Sequence, residues 1–352
     1  MKNTTYRGLI IIRCLIVLFW VFLISVGILF FSSFTRQPHT LNILAWGDLF
    51  DELSIRDFEK ETGIRVTITT ASSNEEMLIK LKANNCDYDL IIPSDYAVSL
   101  LLQERLLKPL DNARIINYHD IHQFLLHREF DAHNTYSVPV AWEIFGFGIN
   151  KKMMTQDHYD WPIIFDNMHH LCMVNDPVEA INIGALYLYG VPAHLSHAQI
   201  YETAHLLKKQ KKQVTAYSDF RADYFLVTEN CPLVVSSSSY ILRNMKNYPA
   251  IDFVVPDSGS FITIENYALP VCARHEDAAY LFINFMYRPE VAQRHCERFA
   301  FFPALSTVDV RALPDKYQAL LSQASELLAK SYFFKPLVSD QEKNDTWIFV
   351  KS

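Results

Sequence analysis

Leu-Asn-Ile-Leu-Ala-Trp-Gly-Asp (41–48), Phe-Glu-Lys-Glu-Thr-Gly-Ile-Arg-Val (58–66) and Tyr-Asp-Leu-Ile-Ile-Pro-Ser-Asp-Tyr (88–96) decide how this chain is read. Residues 41–45 form a strand-like apolar run. Leu49, Leu53, Ile55 and Phe58 recur at broadly helical spacing, and Gly63 follows as the residue type that ends a helix in the left-handed conformation. Residues 64–70 are β-branched and strand-like. Asn74 is placed to cap a helix reaching about residue 83, with Glu75 and Glu76 in its first turn. A third strand over 88–93 and a helix over 97–107 complete a β-α-β-α-β order, which implies an α/β fold with a mostly parallel, helix-covered sheet. In open sheets of this kind ligands sit beyond the carboxyl ends of the strands. Trp46, Gly47, Asp48, Ser94 and Tyr96 fall at such ends. A tryptophan and a carboxylate together point to a small cationic ligand.

Outward from this core, residues 136–150 form a long extended run whose length suits a segment crossing between domains, and 261–270 form a second that crosses back. Strand- and helix-like runs restart between them, over 172–175, 178–189, 197–212, 233–236 and 252–255. Two crossings and two α/β lobes make a hinged clamp able to close on a ligand. The expected division is 39–145 with 264–310 as lobe 1 and 146–263 with 311–352 as lobe 2.

At the N-terminus, Lys2, Arg7 and Arg13 precede an uncharged apolar run over 14–31. A basic flank followed by an apolar core reads as a signal peptide or a signal anchor, with a linker to residue 38. The run just reaches the ~20 residues a membrane span requires. Both fates leave residue 41 onward exported. Net charge is −7, which argues against nucleic acid as a partner. Cys86, Cys172, Cys231, Cys272 and Cys296 lie beyond the apolar run, an odd number with no C-x-x-C spacing, so pairing stays open and no zinc or redox site is signalled. The thirteen histidines show no H-E-x-x-H spacing, and no phosphate- or dinucleotide-binding glycine motif occurs. No metal, cofactor or catalytic residue is expected.

Lys-Glu-Thr-Gly-Ile (60–64), Ser-Asn-Glu-Glu-Met (73–77), Tyr-Asp-Leu-Ile-Ile-Pro-Ser (88–94), Tyr-Ser-Val-Pro (136–139), Gly-Ile-Asn (148–150) and Ile-Asn-Phe-Met-Tyr-Arg-Pro-Glu-Val-Ala (283–292) are each weak, but their order and spacing are specific. With them the chain resembles the periplasmic spermidine/putrescine-binding proteins, receptors of polyamine ABC importers, from residue 41 to about 345. The resemblance implies a two-lobed periplasmic binding protein fold (type II-like), a monomer, and a polyamine held between the lobes. The expected partners are inner-membrane ABC permease subunits, with the membrane itself a partner if the N-terminal segment is retained. It also implies site residues: Trp46, Asp48, Ser94, Tyr96, the Asp-x-x-Glu pair Asp176 and Glu179, Glu265 on the returning run, and Phe302. Val235 and Thr263 fall where the family has two more cleft tryptophans. Gln341 and Lys343 are both candidates for a family glutamine.

The residue types suit the chemistry. An ammonium group is costly to bury unless paired and hydrogen-bonded. A receptor for a flexible chain of ammoniums therefore needs spaced carboxylates with apolar faces between them. Trp46 and Tyr96 can each add ~0.5–2 kcal/mol of cation–π contact, against about −8 kcal/mol for micromolar binding. Glu143 and Asp95 are placed to add charge where aromatics are lost. Plainer readings stand beside these. Asp48 and Asp176 fit helix N-caps, Trp46 and Phe302 fit core packing, Glu179 fits a solvated helix face, and Ser94 and Tyr96 fit a turn after Pro93. A different cationic amine as ligand, or an anchored sensor in place of an importer component, remains compatible with the same residues.

Overall fold

The computed structural model describes residues 19–20, 40–47, 49–83, 85–166, 169–218 and 221–352. Asp48 and all but two residues of the N-terminal apolar segment lie outside the described residues, among which no helix is long and apolar enough to cross a membrane.

In the first lobe, β1 (Thr40–Trp46) pairs in parallel with β2 (Arg65–Ala71) and β3 (Leu90–Ile91). The intervening helices start and stop where side chains satisfy their ends. Asp51 caps α1 (Glu52–Thr62) by accepting from the Ser54 amide at 3.1 Å, and Gly63 closes it at φ 72°. For α2 (Asn74–Lys82) the cap is Ser73, whose hydroxyl accepts from the Glu76 amide, rather than the expected Asn74. Helix α3 (Asp95–Gln103) starts two residues earlier than the apolar spacing suggested, because the Ser94 hydroxyl caps it. A short β4 (Leu107–Lys108) follows.

Both expected crossings are present. Strand β5 (Ser137–Asn150) is 14 residues long, or about 45 Å at the usual rise, enough to run through both lobes. The second lobe adds β6 (Leu171–Met173), α4 (Pro177–Tyr189), α5 (His197–Gln210), β7 (Val214–Tyr217), β8 (Leu233–Ser237), α6 (Ser238–Met245) and β9 (Ile251–Val254) before β10 (Ser260–Pro270) returns. The sheet order is β2-β1-β3-β10-β5-β8-β6-β7. A mostly parallel sheet was expected, but along this order only the flanks are parallel. The pairs β3–β10, β10–β5 and β5–β8 are antiparallel, because the two long strands traverse the molecule in opposite directions.

Burial follows this plan. One core gathers Phe58, Trp142, Phe282, Phe302 and Tyr317, and a second gathers Phe147, Trp161, Leu233, Val235 and Phe261. The C-terminal helix α7 (Asp340–Lys351) packs on α4 and α5 of the second lobe. Of the cysteines, Cys86 and Cys272 form a disulfide, while Cys172, Cys231 and Cys296 are buried.

Gly146 sits in the crossing strand β5. A Cβ there would lie 2.5 Å from the Val254 carbonyl oxygen and 2.7 Å from the Phe253 ring. Backbone cannot yield as a flexible side-chain end can, so Gly146→Ala should cost roughly 1–3 kcal/mol. The check is the denaturant midpoint, and an unchanged midpoint would refute the close approach.

Candidate functional site

Between the lobes lies a cavity of about 190 Å³. Its first-lobe wall is made by Trp46 and Gly47 at the tip of β1, Ser72, Ser73 and Asn74 at the start of α2, and Ser94, Asp95 and Tyr96 at the start of α3. The second lobe contributes Val174, Asp176, Glu179, Ser218, Ser236, Ser237, Tyr240 and Phe334, and Phe145 joins them from the crossing strand β5. The crossing strands form its back, with Glu143, Thr263 and Glu265 facing in.

Strand register explains the back wall. Thr263 lies directly opposite Glu143 in the β10–β5 ladder, so the small threonine leaves room beside the carboxylate. The register then shifts between Glu265 and Asn266, where Ala141 and Pro139 are the partners and Val140 is the extra residue. Such a bulge locally re-aims side chains. Glu265 also bridges to Ser94 across the sheet, and its Oε2 accepts from Trp46 Nε1 at 2.6 Å. The Ser94 hydroxyl both caps α3 and donates to Asn74 Oδ1 at 2.9 Å.

Three carboxylates converge here without enough positive charge to balance them. Desolvation pushes Asp95 up from an ordinary 3.8 to about 7, against hydrogen bonds from backbone amides that include Ile264 N at 2.7 Å. Burial likewise raises Glu143 from 4.5 to about 7, opposed by a hydrogen bond from Ser239 and by Arg243. Glu265 is raised well above the usual range, first by desolvation and then by the charges of Glu143 and Asp95, with the Trp46 bond pulling the other way. An ammonium group among these oxygens would relieve both the desolvation and the mutual repulsion.

The opposite wall is built on α4. Asp176 Oδ1 accepts from the amides of Val178 and Glu179 at 2.7 and 3.0 Å, so it is an N-cap and a cavity residue together. Glu179 stands in the same first turn. Burial raises the Tyr96 phenol to about 12, with the positive charge of Lys343 lowering it and Glu75, Asp340 and Asp176 raising it. Apolar faces come from Phe145 and Phe334, in edge contact with centroids 4.8 Å apart, and from Tyr240, backed by the Arg243 guanidinium at 4.9 Å.

The structure thus brings Trp46, Ser94, Tyr96, Asp176, Glu179 and Glu265 to one cavity. Phe302 is a correction: it is fully buried, stacked on Trp142 at 4.4 Å, and its neighbour Phe301 lines the cavity instead. Phe302 pairs with Trp142 in a short ladder to β5, which turns its ring into the core. Val235 is also in the core, and the adjacent Ser236 faces the cavity. Phe145, Tyr240, Phe301, Phe334 and the serines other than Ser94 were not picked out from the sequence. A period-two reading of β5 and β8 would have found Phe145 and Ser237, which are cross-strand partners.

Two α/β lobes joined by paired crossing strands around an acidic, aromatic cleft define a solute receptor of the periplasmic binding protein fold. Residues 54–321 match the bacterial extracellular solute-binding protein family, and the chain belongs to it. The spermidine/putrescine-binding periplasmic protein of Salmonella typhimurium is 30% identical over 279 residues, covering 77% of this chain and 79% of that protein. Among solved structures, a putative spermidine/putrescine ABC transporter protein of Listeria monocytogenes superimposes with a TM-score of 0.80 at 27% identity, over 89% of this chain and 99% of that one. A spermidine/putrescine ABC transporter substrate-binding protein of Streptococcus pneumoniae follows at 0.75 and 25%, over 89% and 98%. The resemblance drawn from the sequence motifs is borne out. The family is one of solute binders, not a class of enzyme.

The raised carboxylates give a pH signature. Burial lets Asp95 and Glu143 hold protons that the unfolded chain releases near pH 4, so their contribution to stability is full below that and is lost as pH rises through about 7. Other carboxylates titrate too, so the readout is a difference. The fall in melting temperature of the ligand-free protein between about pH 5 and about pH 7.5 should be smaller in Glu143→Gln than in the wild type. Parallel profiles for the two proteins would show that Glu143 is not held protonated.

Proposed function

We propose that this protein is an extracytoplasmic polyamine receptor that closes on its ligand and delivers it to an inner-membrane ABC permease. Residues 39–145 with 264–310 move against 146–263 with 311–352, and the protein works as a periplasmic monomer. The observation that carries the reading is the pair of acidic groups on facing walls. Asp95, Glu143 and Glu265 crowd one side, and Asp176 and Glu179 stand on the other. A cation with two separated charges satisfies both and draws the lobes together, a differential interaction with the closed state of the kind closure requires. The names of the relatives support the same ligand class. A second reading keeps the fold and changes the cation. The cavity carries six serines and Thr263, and so offers hydrogen-bond partners suited to an amine that also bears oxygen.

Titration calorimetry of the purified full-length protein with putrescine, cadaverine, spermidine and spermine separates the two. Binding at micromolar concentration or below is expected for at least one polyamine. Glu265→Gln and Asp176→Asn should each weaken it on the order of 10–100-fold, as loss of a buried charge partner does. A folded protein that ignores all four amines would move the assignment to an oxygen-bearing amine. A polyamine bound equally well by both variants would place the ligand outside this cleft.

A further inference from the structure

At the edge of the cavity the protein already holds an ammonium of its own. Lys343, on α7 of the second lobe, is 7% exposed. Its Nζ lies 2.7 Å from Glu75 Oε1, at the start of α2 in the first lobe, and 3.0 Å from Asp340 Oδ1. Glu75 directly follows the cavity residues Ser73 and Asn74. The field of Lys343 reaches the cavity residue Tyr96, which also feels Glu75, Asp340 and Asp176. Burial opposes the lysine charge, but the two carboxylates outweigh it and hold the group protonated. A lysine of one lobe is thus clamped to a glutamate of the other, as a ligand ammonium would be.

We infer that Lys343 occupies the end of the cleft that a third ammonium would need, and so restricts the receptor to short diamines over triamines and tetraamines. This rests on the polyamine reading above. The remaining acids form two groups, Asp95 with Glu143 and Glu265, and Asp176 with Glu179, which suit the two charges of a diamine. A longer amine would find Glu75 and Asp340 already paired with Lys343 and would have to displace that ammonium to seat a further one of its own, a cost that discriminates without any new attraction. The cavity, about 190 Å³, is also below the roughly 300–1,000 Å³ usual for drug-sized ligands.

The test is calorimetry on full-length wild type, Lys343→Gln and Glu75→Gln with putrescine, cadaverine, spermidine and spermine. Wild type should bind a diamine about tenfold or more tighter than spermidine, and Lys343→Gln should raise spermidine affinity relative to that diamine by about tenfold. Glu75→Gln breaks the same interlobe ion pair but keeps the ammonium. It should lower affinity for all the amines together without shifting their ratio. A wild type that prefers spermidine, or a Lys343→Gln protein with an unchanged ratio, overturns the inference while leaving the polyamine function intact. A matching ratio change in both variants reduces Lys343 to a closure contact and also overturns it. Absence of binding to every amine in the wild type overturns this inference together with the function it rests on. Melting curves identify a variant that fails to fold, in which case Lys343→Met takes the place of Lys343→Gln.

Discussion

The structure depends on one antiparallel pairing, β5 against β10. The two strands are the sheet's only route from the β1–β3 side to the β6–β8 side among the described strands, and their ladder runs through the middle of the molecule. Everything the cleft needs is hung on this pair. It sets Thr263 beside Glu143, and its bulge at Glu265 aims a carboxylate at the indole of Trp46. Both strands pass from one half to the other, and the groups at the back of the cavity stand on them.

Hydrogen bonds within the protein hold the cavity's side chains in place. Trp46 is held by Glu265, Ser94 by Asn74, and Asp176 by the amides of α4. Fixing these side chains in advance removes part of the ordering cost of association. The electrostatic state is different in kind. Asp95, Glu143 and Glu265 are crowded in a desolvated space with Arg243 as a neighbouring cation, and they relax by retaining protons. Hydrogen bonds fix the side chains, while protonation sets the charge. Binding a cation should therefore release protons to solvent as the acids ionise around it.

Much of this was readable in the sequence, and the exceptions have physical causes. Gly63 as a helix stop, Asp176 as both cap and cavity acid, and the two crossings over 136–150 and 261–270 come from local rules that tertiary structure left in force. The direction of side chains on the long strands does not. The extra residue Val140 changes the register in mid-strand, and no composition signal marks it. The choice between Phe301 and Phe302 hung on a two-residue ladder to Trp142, too short to leave a pattern. Phe334 owes its place to Phe145, a contact made across the fold. Lys343 was one of two candidates for a family position, but its partner Glu75 lies 268 residues away.

The disulfide between Cys86 and Cys272 joins residues 186 apart in sequence, on a first-lobe edge where Asp89 also accepts from the Arg274 and His275 amides. Chain-entropy arithmetic for a loop of that size gives about 5 kcal/mol of denatured-state constraint. The bridge also has a topological effect. Both crossing strands and every second-lobe element from β6 to β9 lie inside the covalent ring it closes. A protease that cuts an exposed loop between residues 86 and 272 opens this ring into a branched molecule without releasing a fragment. In an oxidising compartment one nick leaves the receptor a single covalent species, and separating its pieces takes a second cut or a reductant.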